Sequence, residues 1–434
     1  MRIKALFSLA VLGYAGLALA QAQNVVVEEK KSETVTVVVK ETPKPPAFVF
    51  ELHGFISTTG YFQDALYQVG GGGQAALFLN GTPAGGSTGA SAGQPWTSDK
   101  PIFGFDIRQT RLNFSVRGPT VMGGAVPKAV VEIDFFGSSE FAGTGAFGDV
   151  SVLPRLRIAY VELNWNEGRT IIQIGQQNML TIGTIPQSLR GIAFPMTYTA
   201  GTVGWRQPGL WGWHTFGDDL KFEFAWSIQK SGWANTVPHE TLNDGVSSGL
   251  PAFEARGTLK FGKMFDVWLS GHWQTVDTNG PNAIAQPNSN NDLVTVLGTV
   301  GFKGNLGPVA LAGSAWYGKN TGPLLGNVLQ FTPTATPNAY RVDIFGWGGW
   351  AQAGMNVTKN LSGWVTYGID HPVYENILQA GLTRLRNQNL IVMARYQDGG
   401  FAFGAEWLYT RTTVTTTNDP LIGNQITLTG NYYF

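Results

Sequence analysis

The chain has 434 residues, with 29 basic and 29 acidic side chains, 57 glycines, 14 tryptophans and no cysteine. Only 13% of residues are charged, about half the usual share, and the even charge balance argues against nucleic acid as a partner. Without cysteine there is no disulfide framework and no thiolate metal site, so stability must come from the fold itself.

The first residues, MRIKALFSLAVLGYAGLALA, have the parts of an export signal. Arg2 and Lys4 form a positive start, an apolar run begins at Ala5, and Ala18-Leu19-Ala20 is a small-x-small cleavage site. Residues 1–20 are therefore expected to be a removed signal peptide, which leaves 27 basic against 29 acidic residues. Elsewhere the chain lacks an apolar run long enough for a membrane helix. Residues 21–46 follow, with charges between valine runs and a proline-rich end. They are expected to form a periplasmic extension and stiff linker.

From residue 47 to 434 an alternation of period two dominates. In LKFEFAWSIQ, Leu220, Phe222, Phe224, Trp226 and Ile228 take one face, and Lys221, Glu223, Ala225, Ser227 and Gln229 the other. Phe253, Ala255, Leu259 and Phe261 repeat the pattern, as do Phe401, Phe403, Ala405, Trp407 and Tyr409. Tight turn sequences (NEG at 166, GDD at 217, GKM at 262, KGNLG at 303, TKN at 358, DGG at 398) alternate with long polar or glycine-rich segments. This rhythm predicts an all-β fold: a transmembrane antiparallel β-barrel of about 16 strands with short periplasmic turns and long outer loops. A closed barrel pairs every backbone group within lipid. The last strand, ITLTGNYYF, places Ile426, Leu428, Tyr432 and Phe434 on one face.

In such a barrel the apolar face meets lipid and the polar face lines the lumen. The stretch DIRQTRLNFSVRGP has Leu112, Phe114 and Val116 on one side and Arg111, Asn113, Ser115 and Arg117 on the other. Putting the arginines inside avoids the cost of about 2–4 kcal/mol for arginine at the lipid midplane. Arg108 has the opposite parity, and a bulge or a position near the strand end would account for it. The next two strands bring Glu132 and Asp134, then Arg155 and Arg157. Arginine outnumbers acid across these three strands, so a basic wall is expected, extended by Arg206, Lys221 and Arg256. The third loop, about 178–200, is apolar for a segment in bulk water. It is expected to fold inward, narrow the channel and present Arg190 there.

The five histidines show no metal spacing and no G-x-S-x-G occurs, so no catalytic residue, metal or cofactor is assigned. RQTRLNF, VEIDFFG, PRLRIAYVEL, IGQ ahead of the inward loop and the terminal Phe434 together resemble the DcaP-like porins, best over residues 105–200, and more distantly the phosphate-selective porins. That resemblance implies a 16-stranded trimer with a periplasmic coiled coil and a basic eyelet that passes small anions, with Arg111, Arg157 and Arg190 at the pore. The extension lacks a clear heptad pattern, and the third loop lacks the lysine cluster that phosphate selectivity would need.

The expectation is a homotrimeric porin in the bacterial outer membrane, contacting lipid and lipopolysaccharide, through which small hydrophilic solutes diffuse, with anions such as carboxylates favoured. The alternatives are a structural or adhesive barrel with a closed pore, and a barrel hydrolase built on His53 or His272.

Overall fold

The computed structural model describes residues 48–65, 67–68, 77–79, 101–137, 153–232, 249–262, 264–277, 292–331 and 342–434. The expected signal segment and extension, and the GGGG run at 70–73, lie outside the described residues.

Strands β1 (Val49–Gln63), β2 (Ile102–Asp106 and Arg111–Arg117), β3 (Val126–Asp134), β4 (Arg155–Trp165), β5 (Thr170–Asn178), β6 (Arg206–Phe216), β7 (Leu220–Gln229) and β8 (Ala252–Phe261) form the first half of one sheet. The second half is β9 (Phe265–Asp277), β10 (Asp292–Leu306), β11 (Val309–Lys319), β12 (Phe345–Asn356), β13 (Leu361–Pro372), β14 (Arg384–Asp398), β15 (Phe401–Val414) and β16 (Leu421–Tyr433). Each strand pairs antiparallel with its neighbours in sequence, and β16 returns to β1 with Phe55 opposite Tyr433. The result is a closed barrel of 16 strands, β2 counted as one broken strand. No helix among the described residues is long and apolar enough to cross a membrane.

The barrel is inverted relative to a soluble core. On β16, Ile426, Leu428 and Tyr432 are exposed, whereas Gln425, Thr427, Thr429 and Asn431 on the inner face are buried. Phe222, Phe224 and Ile228 on β7, and Phe401 and Phe403 on β15, likewise point out. The apolar faces read from the sequence are thus the outward ones, as lipid requires. At one end the strands are joined by tight turns in which Asn166, Glu167, Gly168, Gly217, Gly262, Gly307 and Gly399 take positive φ. The long connections lie at the other end.

Two irregularities decide which side chains face in. First, β2 is interrupted between Asp106 and Arg111. The break shifts the alternation, so Arg108 joins the interior together with Gln109, while Phe114 remains outward. Second, the pairing of β3 with β4 slips by one residue between Glu132 and Ile133. This bulge explains the uneven alternation of PRLRIAYVEL: Arg155 and Arg157 face in beside Leu156 facing out, and beyond the slip Val161 faces out.

Candidate functional site

The third loop, between β5 and β6, folds into the lumen as its composition implies. Thr197, Tyr198, Thr199, Ala200 and Thr202 are all at most 3% exposed. The loop is held by inward side chains of the wall that satisfy its backbone, as buried backbone requires. The Glu254 carboxylate of β8 accepts the Leu180 N–H at 2.5 Å and the Thr181 hydroxyl at 3.1 Å. Gln352 of β12 accepts the Gln187 N–H and donates to its carbonyl, at 2.8 and 2.9 Å. Glu406 of β15 accepts the Ser188 hydroxyl at 2.8 Å and the Leu189 N–H at 3.3 Å. Gln109 and Arg111 of β2 donate to the Leu189 and Ile192 carbonyls at 2.8 and 3.1 Å. Asn389 of β14 donates to the Met196 carbonyl at 2.6 Å. Backbone contact is equally close at Gly368, where a Cβ would lie 2.1 Å from the Ala200 carbonyl oxygen.

Against this loop stands a basic wall. Arg155 donates to Asp134 at 2.6 and 2.9 Å. Arg157 bridges Glu132 at 2.9 Å and Asp134 at 2.8 Å. Arg111 lies 3.6 Å from Glu132. Arg206, at the start of β6, is 7% exposed and stacks on the Trp205 ring at 4.3 Å. Among the described residues no carboxylate lies within ion-pair distance of it. Arg155 sits over the Phe136 and Phe194 rings at 5.3 and 5.1 Å. Three guanidiniums thus share two carboxylates, Glu132 and Asp134, and Arg206 adds a fourth, so a surplus of positive charge remains beside an aromatic edge made by Phe194, Tyr198 and Trp205. Low-dielectric surroundings strengthen the field of such a surplus.

The remaining expected site residues go elsewhere. Arg117 pairs with Glu51 at 2.6 Å near the short-turn end, half exposed. Lys221 is exposed and lies opposite Lys260 on β8. Arg256 is 3.7 Å from Glu223 and donates to the Leu180 carbonyl at 3.2 Å, so it supports the root of the third loop. Arg190 is 1% exposed. Its Nε approaches Met196 Sδ at 3.0 Å, and among the described residues Nη1 and Nη2 have no hydrogen-bond partner. The Ser188 hydroxyl accepts the Arg190 and Gly191 N–H groups at 3.2 and 2.6 Å, forming a tight turn. Arg190 is therefore inside the inward loop but packed under it, apart from the basic wall. Arg108 is neutralised by Asp106, which its Nη2 meets at 2.5 Å.

His272 is buried with its Nδ1 3.2 Å from Glu254, and the Ser227 hydroxyl donates to the same carboxylate at 3.4 Å rather than to the imidazole. These groups form no nucleophile–base pair, and their geometry serves the loop anchor. Glu51, beside His53 in sequence, is engaged by Arg117 and Ser115. Among the described residues no cluster of His, Asp and Glu is suited to a metal.

Sequence reasoning missed a second inward segment. Thr321 to Gln330, in the loop after β11, is buried except at Leu329, which is partly buried. Its Leu324, Leu325 and Val328 join Phe136, Phe194, Tyr198, Trp205, Leu297 and Trp316 in one apolar cluster inside the barrel. The signal was present in GPLLGNVLQF, an apolar run in a loop of the same kind as the third.

No protein-family model matches the chain, and no curated protein matches it by sequence. Solved structures do share its fold. The outer membrane channel DcaP of Acinetobacter baumannii superposes with a TM-score of 0.65 at 15% identity, over 89% of this chain and 97% of that one. An anion-selective porin from Comamonas acidovorans gives 0.53 at 11% identity, over 89% and 100%. The outer-membrane OmpT of Vibrio cholerae gives 0.53 at 10%, over 91% and 100%. At these identities the likeness establishes a porin-type barrel.

Proposed function

We propose that the chain is a homotrimeric outer-membrane porin that passes small hydrophilic solutes by diffusion and favours anions such as carboxylates. The observation that carries this is the basic wall: Arg111, Arg155 and Arg157 share Glu132 and Asp134, and Arg206 has no carboxylate within ion-pair distance among the described residues. The porin-type fold supports the setting, since the similar structures are outer-membrane channels and porins, one an anion-selective porin and one a trimer. The exposed apolar belt is the surface for lipid, and the long loops face the lipopolysaccharide side.

The mechanism needs no cofactor and no energy input. Fixed guanidiniums next to a low-dielectric wall raise the local concentration of anions. The two carboxylates keep the arginines ordered and hold the net field down, so that a bound anion can leave. Arg206 and Arg155, stacked on rings, present their charge in a fixed direction.

Reversal potentials across a planar bilayer under a KCl gradient test this. The wild type is expected to be anion-selective, and Arg155→Ala with Arg206→Ala to lose most of that selectivity. A folded protein without conductance steps would overturn the reading. That outcome belongs to the second reading, a closed structural or adhesive barrel, which the apolar cluster inside the lumen favours.

A further inference from the structure

The segment Thr321–Gln330 is folded in a manner its residues resist. Leu325, Asn327, Val328 and Leu329 have φ of 67°, 50°, 48° and 55°. Left-handed backbone is unfavourable for residues with a Cβ and worst for branched or bulky ones. Three of them are consecutive, which makes a left-handed turn. Such strain persists only where the surroundings over-determine it.

Two ionisable side chains of the wall supply that constraint. Asp370, on β13 and fully buried, accepts the Val328 N–H at 3.1 Å. Arg384, on β14, donates from Nε to the Val328 carbonyl at 2.9 Å and from Nη2 to the Leu329 carbonyl at 3.1 Å. Asp370 holds the donor side of the turn and Arg384 the acceptor side. Gln330 completes the grip, accepting the Arg384 N–H at 2.8 Å and donating to its carbonyl at 2.7 Å.

The segment also touches the third loop directly. Gly204 donates to the Leu324 carbonyl at 2.8 Å and Thr199 to the Leu325 carbonyl at 3.2 Å. Gly204 immediately precedes Trp205, the ring on which Arg206 stacks. The position of Thr321–Gln330 therefore sets where the arginine-bearing edge of the third loop stands.

We propose that Thr321–Gln330 is a second constriction element, and that Asp370 and Arg384 are positioning residues that set the size limit of the channel by holding it in the lumen. The proposal rests on the porin reading. It assigns the limit to two loops acting as one body, with the strain in the left-handed turn favouring withdrawal once the grip is lost.

The test uses the full-length protein in planar bilayers and in sugar-loaded liposomes, with retention of the heat-modifiable folded band as the control. Asp370→Ala with Arg384→Ala is expected to raise single-channel conductance, roughly doubling it if the segment leaves the lumen, and to admit larger sugars. Asp370→Asn keeps an oxygen for the Val328 N–H and is expected to stay near wild type, which a general loss of stability would not predict. Replacing Gly322–Leu329 with a short glycine-serine link is expected to match the double variant. Wild-type conductance and sugar cut-off in both the folded double variant and the loop replacement would overturn the proposal while leaving the porin reading in place. Silence of wild type and loop replacement alike would overturn both.

Discussion

The two inward loops reach the same place by different means. The third loop is long, and the wall fits itself to it: Glu254, Gln352, Glu406, Gln109, Arg111 and Asn389 each meet a backbone group the loop offers. Within it only Thr199 among the non-glycine residues takes a positive φ. Thr321–Gln330 is short and contorted, and it depends on one acid and one base at a single turn. A lumen can thus be filled by bonds spread around the wall or by bonds gathered near one turn. Loss of a single contact is expected to displace the spread arrangement less than the gathered one.

The largest effect expected from breaking this contrast comes from replacing Ile185–Tyr198 with a short linker. That removes the spanning part of the third loop and should raise conductance more than any single substitution, as read in single-channel records. Next comes Glu254→Ala, which strands the Leu180 N–H and removes one of the two bonds of the Gln229 amide, whose Nε2 meets the carboxylate at 2.6 Å and the Ser227 hydroxyl at 2.7 Å. Each stranded buried group costs about 1–3 kcal/mol, so the thermal unfolding midpoint should fall clearly. Glu406→Ala strands the Leu189 N–H but leaves the Ser188 hydroxyl free to turn, and its midpoint should fall less.

Salt sharpens the comparison further. With fixed arginines as the source of selectivity, anion preference should shrink between 0.1 and 1 M KCl, as the screening length falls from about 10 to 3 Å. A preference independent of salt would point to pore shape instead. The smallest effect is expected at Arg117. Its pair with Glu51 is half exposed, such pairs contribute about 0–1 kcal/mol, and Arg117→Ala should leave both stability and reversal potential near wild type.

Much of the barrel was legible because lipid imposes a rule on every strand. Ile426, Leu428, Tyr432 and Phe434 had to share a face, and they do. The turn sequences at 166, 217, 262 and 398 announced themselves through residues able to take positive φ. Inward folding of the third loop could be read from its apolar composition, because that composition is costly in water. Arg108 and the register of β4 could not be settled, since each depends on a strand break or a bulge that alternation alone does not reveal. Arg190 was expected in the constriction, yet its side chain is buried within the loop beside Met196, which composition alone does not reveal. Asp370 and Arg384 carried no signal, because their role exists only once a distant loop reaches them.

The anchors of the third loop also bear on the shape of the whole ring. They lie on β2, β8, β12, β14 and β15, so the loop ties together points well separated around the circumference. A hollow cylinder under uneven lateral pressure flattens into an ellipse unless something spans it. The loop is such a cross-brace. Bilayer tension that would deform an empty cylinder is expected to be carried across the lumen by this loop, so the barrel's cross-section should keep its dimensions when membrane thickness or packing changes.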